Sequence, residues 1–141
     1  MPKHDDLSAC VCNKTRTAAR VVTRLYDEAL RPVQLRATQF ALLVALGDDG
    51  AMSIAALAKL MAMDRSTLTR NLRPLESGGL VTLGDEAWRR SRSVEITAKG
   101  RARLRQGLPR WESAQREVLR RLGPSNWSRV QAGLDLLAGI G

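Results

Sequence analysis

Several things are scarce in this 141-residue chain, and each scarcity closes a route. No run reaches the ~18 consecutive apolar residues that a membrane-spanning helix needs, so no membrane partner is expected. The opening stretch from Met1 to Ser8 is polar and mixed in charge, without the apolar core of an export signal. Cysteine occurs only at Cys10 and Cys12, which cannot make a disulfide framework, and a reducing cytoplasm is the expected compartment. Histidine occurs once, at His4, so there is neither a zinc cluster nor a convincing base for a Ser or Cys nucleophile. A Gly-rich phosphate loop, a paired-carboxylate motif and an HExxH pattern are all missing. Neither an enzyme nor a bound cofactor or metal is expected.

What is abundant is arginine. Lysine plus arginine number 23 against 14 acids, a formal charge of +9. Such a balance points to a polyanion, and nucleic acid is the usual one. A well-solvated, arginine-rich surface is the plainer explanation, so charge needs support from pattern. Hydrophobic residues make up 44% of the chain, enough for a core, and the length fits one domain.

The hydrophobic rhythm is helical with one short break. Val11, Thr15, Ala18, Val22, Leu25 and Ala29 alternate four- and three-residue steps, a heptad-like seam within a helical region from Leu7 to Leu30 that Pro32 ends. A second helix is expected from a cap at Thr38 through Leu46, followed by a turn at Gly47-Asp48-Asp49-Gly50. Ile54, Leu57, Ala58 and Met61 share one face of a short third helix after Ser53. Asp64 caps a fourth, Arg65 to Ser77, which Gly78-Gly79 stops. Leu80 to Leu83 and Ser91 to Ile96 read as two strands of a hairpin, and Thr97 caps the next helix. That helix carries Leu104, Leu108, Trp111, Gln115, Val118 and Leu122, with a kink expected at Pro109. A last helix carries Trp127, Val130, Leu134 and Leu137. The fold class is therefore mainly α with a small β-hairpin: a winged helix-turn-helix over 36–97, with helices at 7–31 and 98–141. The two terminal seams need burial partners that a small central lobe cannot supply. A homodimer is the economical answer, because twofold dimers are the commonest oligomer.

In a helix-turn-helix the second helix enters the major groove. Here its outward face is Arg65, Ser66, Thr67, Thr69, Arg70 and Arg73, while Leu68, Leu72 and Leu75 face inward. An ordinary solvated face mixes acids with bases for i,i+4 pairing, and this one holds no acid between Arg65 and Arg73. Arginine forks onto guanine O6 and N7, and short hydroxyls permit close approach to phosphate. Arg89, Arg90 and Arg92 add a basic hairpin suited to a flanking minor groove or its phosphates. Double-stranded DNA is the expected partner. A dimeric interaction module that has lost DNA reading is the rival, and acids in place of Arg70, Arg73 and Arg90 would have favoured it.

Three fragments in order carry a resemblance: Asp64-Arg65-Ser66-Thr67-Leu68-Thr69-Arg70, Leu75-Glu76-Ser77-Gly78-Gly79-Leu80-Val81 and Ile96-Thr97-Ala98-Lys99-Gly100. Together they resemble the MarR family of regulators. The resemblance implies a homodimer on pseudo-palindromic DNA, acting as a repressor that a small ligand or oxidant releases. The chain departs from the family at the wing, where Trp88 occupies the usual Asp position before Arg90, and at Pro74 inside the recognition helix, which could bend its C-terminal half.

Cys10 and Cys12 are the candidate sensors, since thiolates react with oxidants and Lys14, Arg16 and Arg20 are nearby cations. Cys12 precedes Ala18-Ala19-Arg20 in a spacing similar to that of the organic hydroperoxide branch, where tyrosines hold the thiolate. One such position matches Tyr26, and the others fall on Arg16 and Ala37. Cys12 and Tyr26 are fourteen residues apart, about 21 Å along a straight helix at roughly 1.5 Å per residue, so they meet only across a dimer. The Cys-x-Cys pair also suits a soft metal such as Cu(I), or plain packing at a dimer interface. A small-molecule pocket lined by Tyr26, Phe40 and Trp111 is the other route to a signal, and the same residues serve equally as core.

Overall fold

A computed structural model describes residues 1, 3–84 and 92–141. The helices are α1 (His4–Ala9), α2 (Val11–Leu30), α3 (Ala37–Asp49), α4 (Ile54–Leu60), α5 (Arg65–Ser77), α6 (Ala98–Leu122) and α7 (Pro124–Ala138). The strands are β1 (Ala51–Ser53), β2 (Val81–Leu83) and β3 (Ser93–Ile96), and a 3-10 turn covers Arg31–Val33. The chain divides into two compact units, Met1–Ala29 with Trp111–Gly141, and Leu30–Arg110.

The Leu30–Arg110 unit is a helix-turn-helix on a small antiparallel sheet. The sheet order is β1-β3-β2, with Met52 opposite Val94 and Thr82 opposite Glu95. Strand β3 alternates as a half-buried strand should, with Val94 and Ile96 inward and Ser93 and Glu95 outward. Leu42, Leu43 and Leu46 of α3, Leu57 of α4 and Leu68 and Leu72 of α5 are fully buried together with Val94. Each such leucine contributes roughly 1.5–3 kcal/mol relative to exposure, so α5 is anchored by its inner stripe and not by its polar face.

Several elements differ from the pattern-based expectation. The first helical region is two helices, because Cys10 takes an extended ψ of 118° between α1 and α2. Helix α3 starts one residue before Thr38, and its N-cap is Arg36, whose N–H donates to Gln39 Oε1 at 2.9 Å. The same helix runs on through Gly47 and Asp48, and only Gly50, at φ 77°, turns the chain. Strand β1 was hidden because three residues are too few to show a period. Helices α5 and α6 both continue through their internal prolines, Pro74 and Pro109.

Three helix ends close the same way. The N–H of Leu35 reaches Leu30 O, that of Met63 reaches Ala58 O and that of Leu80 reaches Leu75 O. In each, the penultimate residue sits at positive φ: Gln34 at 56°, Ala62 at 51° and Gly79 at 71°. This is the Schellman closure, which favours glycine because a left-handed residue crowds its Cβ. Only Gly79 meets that preference.

The Met1–Ala29 and Trp111–Gly141 unit has little core of its own. Ala114 is its one buried apolar residue among those described. Tyr26 packs on Trp111 with ring centroids 6.5 Å apart at 48°, and its hydroxyl donates to Gln115 Oε1. Burial pushes the Tyr26 phenol pKa upward. Val11, Val21 and Val22 on α2 and Val130, Leu134 and Leu136 on α7 are exposed.

Candidate nucleic-acid interface

The turn from α4 to α5 sets the aim of the recognition helix. Ser53 opens α4 by accepting from Ala56 N at 3.0 Å, and Ala62 in its left-handed conformation closes it. Asp64 then opens α5. Its carboxylate accepts from Thr67 N at 2.7 Å, Ser66 Oγ at 2.7 Å and Thr67 Oγ1 at 3.1 Å. The Ser66 hydroxyl and the Thr67 amide and hydroxyl favour the ionised carboxylate and lower its pKa to about 2.

Arg65, Ser66, Arg70 and Arg73 are exposed on α5, with Thr67 and Thr69 half-buried. The hydroxyls are more committed than their sequence suggests. Ser66 and Thr67 donate to Asp64, and Thr69 Oγ1 donates to the Arg65 carbonyl at 2.8 Å. Toward DNA they retain acceptor capacity, and the strong donors on this face are the three arginines. Arg70 is partly steered, because one of its guanidinium nitrogens reaches Thr67 Oγ1 at 3.3 Å.

Arg92 is half-buried at the foot of the hairpin, where its Nε donates to Gly84 O at 3.2 Å. Its carbonyl accepts from Ile54 N at 2.9 Å, tying the hairpin base to the start of α4. Arg89 and Arg90, with Trp88, lie outside the described residues.

The third sequence fragment has a structural meaning that pattern reading missed. Thr97 Oγ1 accepts from Gly100 N at 3.0 Å and donates to Gly79 O at 2.6 Å, so one hydroxyl joins the start of α6 to the end of α5. Gly100 is required there: a Cβ would lie 2.1 Å from the Leu80 carbonyl oxygen. Three cations on the first turns of α6 each hold a carbonyl at another helix end. Lys99 Nζ reaches Gly78 O at 2.8 Å, Arg101 reaches Gly47 O at 3.1 Å and Arg103 reaches Val33 O at 3.1 Å. Positive charge is favourable at the negative end of a helix dipole. These residues are therefore spent inside the unit, although composition counts them with the rest.

The candidate sensors do not come together within one chain. Cys10 between α1 and α2 and Cys12 in the first turn of α2 are exposed, and Tyr26 lies near the other end of α2, bonded to Gln115. Phe40 is buried in the Leu30–Arg110 unit against Gly107, while Trp111 packs on Tyr26 in the other unit. No group of three or more metal-ligating side chains occurs among the described residues. No described helix is long and apolar enough to cross a membrane.

Residues 35–82 match the MarR family, a span from just after the 3-10 turn to the middle of β2. The HTH-type transcriptional repressor NicR of Pseudomonas putida is 33% identical over 105 residues. That alignment covers 74% of this chain and 66% of the repressor, just under two thirds of its length. The M. tuberculosis transcriptional regulator MosR, solved in complex with DNA, is 39% identical with a TM-score of 0.81, over 91% of this chain and 92% of its own. Bordetella bronchiseptica BpsR, whose DNA binding is regulated by 6-hydroxynicotinic acid, is 25% identical with a TM-score of 0.83, over 98% of both chains. Order of elements, capped recognition helix, clamped hairpin and sequence identity agree: this chain belongs to the MarR family of winged helix-turn-helix transcriptional regulators.

Proposed function

We propose that the protein is a cytoplasmic repressor that binds a pseudo-palindromic operator as a homodimer, one recognition helix per half-site. The observation that carries this reading is the outer face of α5, where Arg65, Arg70 and Arg73 are exposed without an intervening acid on a helix anchored by buried leucines. Arg65 to Arg70 read base edges and phosphates in the major groove, with Arg73 on the backbone, and Arg89, Arg90 and Arg92 belong to the flanking contact. Two such helices engage successive major grooves about 34–36 Å apart. The deciding experiment is a fluorescence-anisotropy titration of the reduced protein against its own upstream intergenic DNA beside a scrambled duplex. Selective binding to the former is expected. Equal, weak binding to both would favour an interaction module built on the same fold.

The signal that ends binding is a small ligand or an oxidant. BpsR responds to a ring carboxylic acid, which supports an effector of that size here. For oxidation the exposed pair Cys10 and Cys12 is the candidate. One thiolate takes an oxygen from a peroxide, which leaves as alcohol or water, and the resulting sulfenic acid condenses with the second thiol, losing water. Cys12→Ser is expected to abolish peroxide-induced release in the same anisotropy assay. Release that persists in the variant would end the thiol route.

A further inference from the structure

Asp64, Thr67 and Arg70 follow one another at three-residue steps from the N-cap of α5, so their side chains are neighbours along one ridge of the helix. Two hydrogen bonds join them in series. The Thr67 hydroxyl donates to Asp64 Oδ2 at 3.1 Å, and an Arg70 guanidinium nitrogen donates to that hydroxyl oxygen at 3.3 Å. The other carboxylate oxygen, Oδ1, accepts from Thr67 N and Ser66 Oγ, both at 2.7 Å.

The proton count fixes the direction of this series. A threonine hydroxyl has a single proton to give, and a guanidinium donates without accepting. With the Thr67 proton committed to the carboxylate, its oxygen faces Arg70 as an acceptor. The carboxylate therefore decides which way the hydroxyl turns. Arg70 is also among the groups that lower the Asp64 pKa, so cation and carboxylate attract one another through space. Arg65 and Arg73 are exposed on the same helix and have no side-chain partner among the described residues. Arg70 alone of the three is held before DNA arrives, and most of its N–H donors remain free for a base edge.

We propose that Thr67 is a positioning residue that aims Arg70 at a guanine edge, with Asp64 orienting the Thr67 hydroxyl. Selectivity for that guanine then depends on a carboxylate that makes no contact with the base. The proposal rests on the reading of Arg70 as a base contact made above, and gives Thr67 a separate role within it. Restricting the guanidinium in the free protein lessens the rotamer freedom lost on binding. The gain goes to the complex in which the planar fork meets guanine O6 and N7, since loose attraction to phosphate needs no fixed orientation.

The test is fluorescence anisotropy of the full chain on its upstream intergenic duplex, with each guanine replaced in turn by deazaguanine, which lacks the N7 acceptor. The parent should lose about tenfold in affinity at one guanine per half-site, and Arg70→Ala should be indifferent to that replacement. Thr67→Val keeps the shape without the hydroxyl and should cut the penalty to below about threefold, whereas Thr67→Ser should retain it. Asp64→Asn keeps a capping oxygen for Thr67 N, but its amide now donates to the Thr67 hydroxyl, so Arg70 is released and the penalty falls likewise. Circular dichroism checks that each variant is folded. A full penalty in folded Thr67→Val or Asp64→Asn overturns the proposal. So does an equal loss on intergenic and scrambled duplexes in Thr67→Val, which would make Thr67 itself a phosphate contact. Penalties that even Arg70→Ala leaves intact would overturn the base reading of Arg70, and this proposal with it. A second arm needs no DNA: the heteronuclear NOE of Arg70 Nε should exceed those of Arg65 and Arg73, and fall to their level in Thr67→Val. Equal values in the parent overturn the proposal whatever the duplexes show.

Discussion

A carboxylate stands at the head of α5, the helix proposed to meet polyanionic DNA, and its reason is local. Asp64 satisfies the Thr67 amide, one of the free amides in the first turn of α5, and Ser66 and Thr67 add two hydroxyls to the same group. Its pKa is depressed to about 2, so the folded state binds fewer protons than the unfolded chain. The stabilisation is fully present above the ordinary value of 3.8 and is lost as the pH falls through about 2. Comparing Asp64→Ala with the parent in acid titrations followed by circular dichroism should show a lower midpoint temperature at neutral pH and a difference that vanishes near pH 2. Arg70 makes the complementary case, an exposed cation held by Thr67. Arg70→Ala is expected to weaken operator binding by about 1–3 kcal/mol with little change toward scrambled DNA, if it forks onto a guanine. Unchanged affinity in anisotropy would remove Arg70 from the reading set. The polar face was legible from residue types alone. That the hydroxyls of Ser66, Thr67 and Thr69 are already engaged was not, because hydrogen-bond partners two to four residues away depend on the cap geometry.

Among the elements, the long amphipathic ones declared themselves and the short ones did not. Helix α5 was bounded by an Asp cap and a Gly-Gly stop, and both signals hold, with Gly79 the left-handed residue. Strand β1 is three residues long and pairs with β3 through long-range contacts that no local pattern encodes. Thr38 looked like a cap because threonine often is one, but the left-handed turn at Gln34 delivers the chain so that Arg36 takes that place. Gly100 shows the same limit from the other side: a helical glycine is unremarkable until the Leu80 carbonyl is placed beside it. Gly100→Ala should therefore destabilise the protein by about 1–3 kcal/mol or more, measured by urea unfolding, since backbone and not a pliant side chain obstructs the new methyl. An unaltered midpoint would show that α6 can shift freely against β2.

Taken whole, the chain contains one unit with a dense core and another with apolar side chains on display. Leu136 on α7 is 75% exposed and Ile140, just beyond that helix, 83%, and Val130 and Leu134 lie on α7 as well. A second copy is what the terminal seams call for, consistent with the homodimer proposed above. Substituting Val130 and Leu134 together by Glu should yield monomers in sedimentation equilibrium while the Leu30–Arg110 unit keeps its fold. A persisting dimer would place the interface elsewhere. At this scale net charge misleads, because the +9 includes Lys99, Arg101 and Arg103, which hold the ends of three other helices. Their arrangement bears on where the molecule can be cut. A fragment ending at Ile96 would retain the sheet and the recognition helix, yet strip the counter-charges from three carbonyl termini at once. A piece that keeps those three termini held therefore extends at least to Arg103, with the first six residues of α6 serving as its keystone.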